Sequence, residues 1–382
     1  MKIAISGGGI AGLTAAVALH EKGHDVTVFE AAKELRVSGA GISLASNAMR
    51  ALEKIGLGEQ LRTYGRFLDR VMICNPEGEV LVENDSRKIS GDYNVINYTI
   101  HRADLHAILL RNFPNKKIIL GKKAVQTTTH GDKEVLHFSD DTREEADLIL
   151  ACDGIHSPLR LQFVPKSLPR YAGYTCWRGI ANYFPGSMDE DAMTETWGAR
   201  GRVGLVPVSG DRVYWYICLN TKMENDPIYD AWSILHLRKH FLDYHRPIDD
   251  VLKNTRPEAI LKNDIFDLKP LKRFAFGKVL LMGDAAHAMT PNLGQGACQA
   301  IEDAVLLPLY LQRFPDVKEA LREFEKVRVP RTARIIRTSR RFGQLAQLQH
   351  PLFSNLRNFL VRIAPERMNH RQFRFLFDVD FD

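Results

Sequence analysis

The stretch Gly7-Gly8-Gly9-Ile10-Ala11-Gly12 limits the folds open to this chain more than any other feature. It satisfies G-x-G-x-x-G through Gly7, Gly9 and Gly12. It stands between an apolar run at 2–6 and a helix-like stretch of small and apolar residues at 13–22. Gly7 permits a tight turn, Gly9 lets the backbone approach a pyrophosphate, and Gly12 lets the helix pack close to a sheet. The helix start then offers N–H groups and the positive end of its dipole to phosphate oxygens. A second strand, VTVFE at 26–30, ends at Glu30. An acid about 20 residues beyond the motif suits a hydrogen bond to a ribose hydroxyl. The motif alone does not separate a nicotinamide from a flavin dinucleotide, and a glycine turn without a ligand is the plain alternative.

Composition removes other classes. The 382 residues are 45% hydrophobic and 26% charged, which excludes a disordered chain, a collagen-like fibre and a simple coiled coil. This length suggests two domains, or one large domain with an insertion. A net charge of +6 permits anionic ligands without requiring them. The five cysteines are scattered and form no C-x-x-C, which points to free thiols in a reducing cytoplasm. No signal peptide and no membrane-length apolar run is expected. No Ser-His-Asp pattern, HExxH or Cys/His cluster with metal spacing occurs, so no metal site is expected. Lys and Arg form no run and no nucleic-acid-reading motif is present, so no nucleic-acid partner is expected. A basic nucleic-acid-binding protein with a vestigial nucleotide fold is the reading from another class.

The pattern along the chain predicts helices at 47–55, 104–112 and 299–312 and strands at 71–97 and 133–151. Residues 170–220 alternate in strand fashion and are rich in Tyr, Trp, Thr and Val. Helical patterning returns at 230–258 and dominates 316–382. The expected fold class is α/β: a Rossmann-like nucleotide domain built from discontinuous segments, with an inserted, mostly β domain and a helical C-terminus.

Three further segments carry a resemblance: HRADL at 101–105, CDGIHSPLR at 152–160 and GDAAHAMTPNLGQG at 283–296. With the glycine turn, in this order and spacing, the chain resembles the single-component FAD-dependent aromatic hydroxylases of the para-hydroxybenzoate hydroxylase fold. The salicylate, 3-hydroxybenzoate, urate and zeaxanthin-epoxidase-like members are the nearest in pattern. The likeness runs over almost the whole chain and is weakest after about residue 345.

The resemblance implies an FAD domain at 1–70, 98–165 and 265–345, a substrate domain at 71–97 and 166–264, and a C-terminal helical segment at 346–382. It implies that Gly7, Gly9, Ile10, Ala11, Gly12, Glu30 and Ala31 hold the ADP half of FAD. Arg36, the loop 39–43 with Ser43, Arg102 and Val125 would lie beside the cofactor. Asp153 matches a segment tied to FAD and NAD(P)H, and Asp284 matches the acid at the ribityl region. Pro291, Gly294, Gln295, Gly296, Ala297 and Cys298 match the loop along the isoalloxazine ring; many members have Asn where this chain has Cys298. The N–H groups before the helix at 296 suit negative charge on a reduced flavin. As plain alternatives, Asp284 could be a helix cap and Asp153 part of an Asx turn. No second G-x-G-x-x-G is present, which fits a nicotinamide nucleotide that docks transiently.

The implied activity is that of a monooxygenase. NAD(P)H reduces FAD, O₂ gives a flavin C4a-hydroperoxide, and one oxygen passes to an electron-rich aromatic or unsaturated small molecule as a hydroxyl or an epoxide. A flavin oxidoreductase that does not oxygenate is the alternative within enzymes. The substrate pocket is expected between the flavin loop and the inserted sheet. Period-two alternation puts Tyr214 and Tyr216 on one face and Trp215 on the other, without saying which faces the pocket. Arg178 and Arg202 are candidate clamps for a carboxylate or enolate. Tyr214, Tyr216 and Pro291 are candidate substrate contacts, and Arg202 and Tyr216 are the catalytic candidates. Each could equally be a core or sheet-edge residue.

His101, His156 and His287 are read as structural. Arg328, Arg331, Arg334, Arg337 and Arg341 share a helical face, read as solvated with some ion pairs. The amphipathic stretch 351–363 is expected to dock its apolar side on the flavin domain rather than in a membrane. A monomer or a homodimer is expected.

Overall fold

The computed structural model describes residues 1–35, 41–86, 97–363 and 374–381. Arg36 and residues 39–40 of the expected cofactor loop lie outside the described residues, as does 87–96 of the expected strand region.

The first layer is a six-stranded sheet in the order Ala275–Phe276, Val279–Leu281, Leu148–Ala151, Lys2–Ser6, Asp25–Glu30 and Ile118–Leu120. All neighbours pair in parallel except the first two. Ile3 lies opposite Leu148 and Ile149 opposite Val279, so three distant stretches of sequence become adjacent strands. Their unbroken apolar runs follow from this, because a parallel sheet covered on both faces has no polar side. The helices Ile10–Glu21 and Gly296–Arg313 pack against each other over this sheet.

The second layer is a seven-stranded sheet ordered Leu261–Asp267, Arg170–Ala181, Arg212–Asn220, Gly201–Val208, Ala192–Gly198, Arg70–Cys74 and Val80–Asp85. The expected boundary at 264/265 falls inside the first of these strands. One face of the sheet carries Trp177, Val203, Leu205, Trp215 and Ile217 into a core with Leu237, Phe241 and Val251 from the short helices behind it. The alternation therefore sends Trp215 to the helices and leaves Tyr214 and Tyr216 on the face toward the nucleotide domain. There the ring of Tyr214 lies so close to Gly41 that a Cβ would meet its Cγ at 2.5 Å.

Two helical expectations are corrected. Arg328, on the helix Val317–Ala346, is fully buried, and Arg331 donates to Glu302, so these two arginines do not belong to a solvated face. Arg334, Arg337 and Arg341 are exposed. The C-terminal helix Pro351–Ile363 buries Ser354 and Arg357 and exposes Leu352, Phe353, Leu356, Phe359, Leu360 and Ile363. Its polar side faces the protein because the Arg357 guanidinium reaches the carbonyl of Ala346 at 2.8 Å and lies over the Trp197 ring. A dense hydrogen-bond anchor has prevailed over apolar burial.

Arg328 donates to Asp303 at 2.7 Å and to Glu302, all three side chains being sealed from water. Burial alone would raise the Asp303 carboxyl, but His287 and Arg328 outweigh it and bring it down to about 2. The folded value lies below the unfolded value of about 3.9, so this stabilisation is present above about pH 4 and is lost as pH falls toward 2. Replacing Arg328 by Met should cost about 3–5 kcal/mol, because two buried carboxylates lose their partner. Denaturant unfolding at neutral pH checks this, and an unchanged midpoint would show that the acids are matched without Arg328.

Candidate active site

The glycine turn meets the loop after Leu148–Ala151 at backbone distance. Gly7 has φ +108°, and any Cβ there would collide with the Cys152 carbonyl; one on Gly12 would collide with the Gly7 carbonyl. Gly9, by contrast, faces open space, as do Gly154 and Gly296. Ile10, Ala11 and Gly12 form the first turn of the helix Ile10–Glu21, where N–H groups have no intrahelical acceptor and no acidic side chain intervenes. The result is a cradle for an anion whose oxygens approach backbone N–H groups.

Glu30 shapes this cradle. Its carboxylate accepts from Gly8 N at 2.6 Å and from Ala32 N at 2.8 Å, which ties the strand end to the turn. A carboxylate has about four acceptor positions, so it can also receive a ribose hydroxyl. Ala31 is exposed beside it. Gly121 N and Lys122 N donate back to Ala32 O and Glu30 O, which brings the strand Ala124–His130, with exposed Val125, near the same edge. His106, which the sequence reading did not single out, is paired with the Gly8 carbonyl at 2.9 Å. His101 caps the helix Arg102–Arg111 by accepting from Ala103 N, and Arg102 is exposed at its first position.

The later motif comes to the same place. Gly283 has φ +58°, and a Cβ there would lie 2.8 Å from the Ala11 side chain. The two turns are therefore in contact. The helix cap is Gly283, not Asp284, which is exposed at the helix's first position and makes no capping bond. Arg160 joins this turn to the 152–157 loop, donating to Ile155 O at 2.6 Å and Ala285 O at 3.3 Å. Both carboxylate oxygens of Asp153 are buried without a hydrogen-bond partner, and burial raises its carboxyl above the usual range. His156 is exposed; His287 is buried against Asp303 at 2.7 Å and holds the Gly283 turn.

The 291–298 segment continues the groove. Pro291 is exposed, and Gly294 is left-handed at φ +63°, 3.9 Å by its added Cβ from the Ser43 side chain. Gln295 is buried and accepts from Asn47 at 3.0 Å. Cys298 is buried, with its thiol near Ser43 O and Gly294 O, and Ala297 lies at the helix start. The first glycine turn thus adjoins the turn before Asp284, and the 291–296 loop adjoins Ser43. The open glycines, free helix N-terminus and unpartnered Asp153 fit a long dinucleotide such as FAD.

Above that loop stands the polar face of the sheet. Arg202 is buried and donates to Glu195 at 2.9 Å, Gln347 at 2.9 Å and Asn292 at 2.8 Å. The Tyr216 hydroxyl donates to the other Glu195 oxygen at 2.8 Å, and Tyr174 donates to Asn292 at 3.2 Å. Burial, followed by the Glu195 charge, pushes the Tyr216 hydroxyl well above its ordinary value. Arg178 shares this face; its Nε has no partner, and no carboxylate pairs with it among the described residues. Glu195, Asn292 and Gln347 were not singled out in the sequence. A cleft of about 480 Å³, lined by Tyr174, Asn220, Thr290, Asn292, Gln344 and Gln347, borders this network. No described helix is long and apolar enough to cross a membrane.

Comparison with known proteins gives the same picture. Residues 1–339 match the family model described as an FAD binding domain. The chain is 34% identical over 377 residues to the aurachin C monooxygenase/isomerase of Stigmatella aurantiaca, covering 98% of each. It is 33% identical to the 2-heptyl-3-hydroxy-4(1H)-quinolone synthase of Pseudomonas aeruginosa, covering 99% of this chain and 98% of that one. The structure of Klebsiella pneumoniae HpxO complexed with FAD and uric acid superposes with a TM-score of 0.90 at 28% identity, over 99% of this chain and 96% of that one.

Replacing Asp284 by Ala should weaken FAD retention about 10–100-fold, the equivalent of one hydrogen bond to a charged group. Flavin occupancy after dialysis reads this, and undiminished occupancy would remove Asp284 from the cofactor site.

Proposed function

The chain belongs to the FAD-binding-domain family of FAD-dependent aromatic monooxygenases, and from that premise we propose that its substrate is a small, uncharged, nitrogen-containing aromatic ring bearing an oxo or hydroxyl group. The enzyme uses NAD(P)H and O₂ to hydroxylate an aromatic compound. FAD supplies the electron transfer and oxygen activation when bound. The protein's residues bind the ring, orient it and exclude water.

The observation that carries the reading is the internal neutralisation of Arg202. Its guanidinium already faces the Glu195 carboxylate, so it does not need a carboxylate on the substrate. The groups left around it are Asn292, Gln347, Tyr174 and Tyr216, which donate to or accept from neutral oxo, hydroxyl and ring N–H groups. Arg178 has a different task. An unmatched guanidinium in the wall favours the ionised form of a ring hydroxyl, and that form has the electron-rich carbon that oxygen transfer requires. The quinolone and uric acid named for two similar proteins are nitrogen-containing rings that bear oxo groups and lack a carboxyl group.

Asp153, Asp284, Glu30, Ser43 and Arg102 are proposed to line the FAD, with Val125 at its adenosine end. Pro291 and the 294–298 segment are proposed to back the ring where it meets the substrate. A cytoplasmic location is proposed from the five unpaired cysteines.

The experiment is a substrate series of hydroxylated quinolones and pyridines with and without a carboxyl group. Stimulated NAD(P)H oxidation and incorporation of labelled O₂ are followed together. Uncharged rings should exceed their carboxylated analogues by about tenfold or more in kcat/KM, or about 1.4 kcal/mol; the reverse order would overturn the reading. Glu195→Gln leaves Arg202 as an unmatched buried cation. It should shift the preference toward the carboxylated analogue, and an unshifted ratio would show that Glu195 does not set it.

A further inference from the structure

We propose that Cys176 and Cys218 form a peroxide-responsive dithiol: hydrogen peroxide, released when oxygen is reduced without substrate, joins them as a disulfide across the sheet. The proposal does not depend on the identity of the substrate.

The two residues are directly opposite in the antiparallel pair Arg170–Ala181 and Arg212–Asn220. Facing positions in such a pair have Cα atoms about 4.5–5.5 Å apart, inside the span of about 4.4–6.8 Å that a disulfide bridges. Both side chains lie on the sheet face that carries Tyr174, Arg178, Tyr216 and Arg202, the face turned toward the nucleotide domain. The two thiols are neighbours on that face, in one buried cluster with Tyr174 and Ile265.

The other thiols provide the contrast. All five cysteines are free and buried. Burial raises Cys74 and Cys152 and pushes Cys298 up to about 12, which leaves them inert at neutral pH. Cys176 departs in the other direction. The neighbouring Cys218, helped by Arg178 and Arg202, outweighs burial and lowers its thiol below the ordinary value. Cys218 moves up, as the proton-holding partner must. In the proposal Cys176, the thiol nearer Arg178, is the nucleophile and Cys218 the resolving group.

The reaction closes without a further reagent. The Cys176 thiolate attacks one peroxide oxygen, breaks the O–O bond and becomes a sulfenic acid, and the departing hydroxide takes a proton to leave as water. Cys218 then gives up its proton and displaces hydroxide from the Cys176 sulfur, which leaves as a second water. Two thiols lose two electrons and one peroxide gains two. The crosslink removes the thiolate beside Arg178 and ties two strands of the pocket wall.

The test uses the FAD-loaded enzyme. It is titrated with hydrogen peroxide, alkylated under denaturing conditions, and mapped by non-reducing peptide mass spectrometry, with the flavin spectrum recorded before denaturation. The expected result is loss of two alkylatable thiols, a peptide joining Cys176 to Cys218, retained flavin, and full return of both thiols with dithiothreitol. Cys176→Ser and Cys218→Ser should each abolish the linked peptide, and Cys74→Ser should leave it. Both thiols remaining alkylatable, separate oxidation of each without linkage, or linkage only after flavin loss would overturn the proposal.

Discussion

The buried contact of Arg328 with Asp303 and Glu302 holds the cofactor side of the site in shape. Asp303 accepts from Gly283 N at 3.0 Å and from His287 at 2.7 Å, which fixes the turn that presents Asp284. Glu302 accepts from Asn47, Gln299 and Arg331. Arg328 also reaches the Gln299 carbonyl at 3.0 Å. Two long helices, the 283 turn and the helix Ser46–Lys54 therefore meet on three charges. Isolated charges could not be buried at this depth, so each group dictates the position of the others. The 291–296 loop inherits that rigidity through Gln295 and Asn47.

A second constraint sets the distance between the layers. Gly41 lets the Tyr214 ring approach the backbone, and Thr99 donates to Pro207 O at 2.7 Å across the same seam. Farther along, Tyr174 and Arg202 both reach Asn292 on the loop. The sheet is thus held to the nucleotide domain at both ends of its polar face, and a chamber remains between. Gly204 serves it too, because a side chain there would occupy the space of the Tyr216 ring. A small residue and a large aromatic on neighbouring strands place the phenol hydroxyl against Glu195.

The sequence showed the parts that depend on local geometry. The Gly7–Gly12 turn, the strand ending at Glu30 and the glycine before Asp284 require particular backbone shapes, and such requirements leave a residue signature. The meeting of residues 2–6, 148–151 and 279–281 was legible because buried parallel strands are apolar without interruption. The polar partners were not. Glu302, Asp303 and Asn47 have no fixed spacing from Arg328, and long-range pairing leaves no periodic trace. Glu195 looks like an ordinary strand acid until Arg202 comes opposite Trp197 and Tyr216 reaches across. The seating of the C-terminal helix leaves no such trace, because apolar periodicity reports which side chains share a face. It does not report that Arg357 will find three carbonyls at the end of the preceding helix.

The chamber wall owes its chemistry to an asymmetry between two arginines on one face. Arg202 is matched by Glu195 and serves as a scaffold that ties the sheet to Asn292 and Gln347. Among the described residues no carboxylate pairs with Arg178; the groups beside it are weak acids, the Cys176 and Cys218 thiols and the Tyr214 hydroxyl. In a space of low dielectric an unmatched cation favours any nearby group that can release a proton. A ring hydroxyl in the chamber would be drawn toward its electron-rich, ionised form. When the chamber is empty, the same field falls on the Cys176 thiol. The proposed activation of a substrate and the proposed reactivity of the wall thus draw on the same guanidinium.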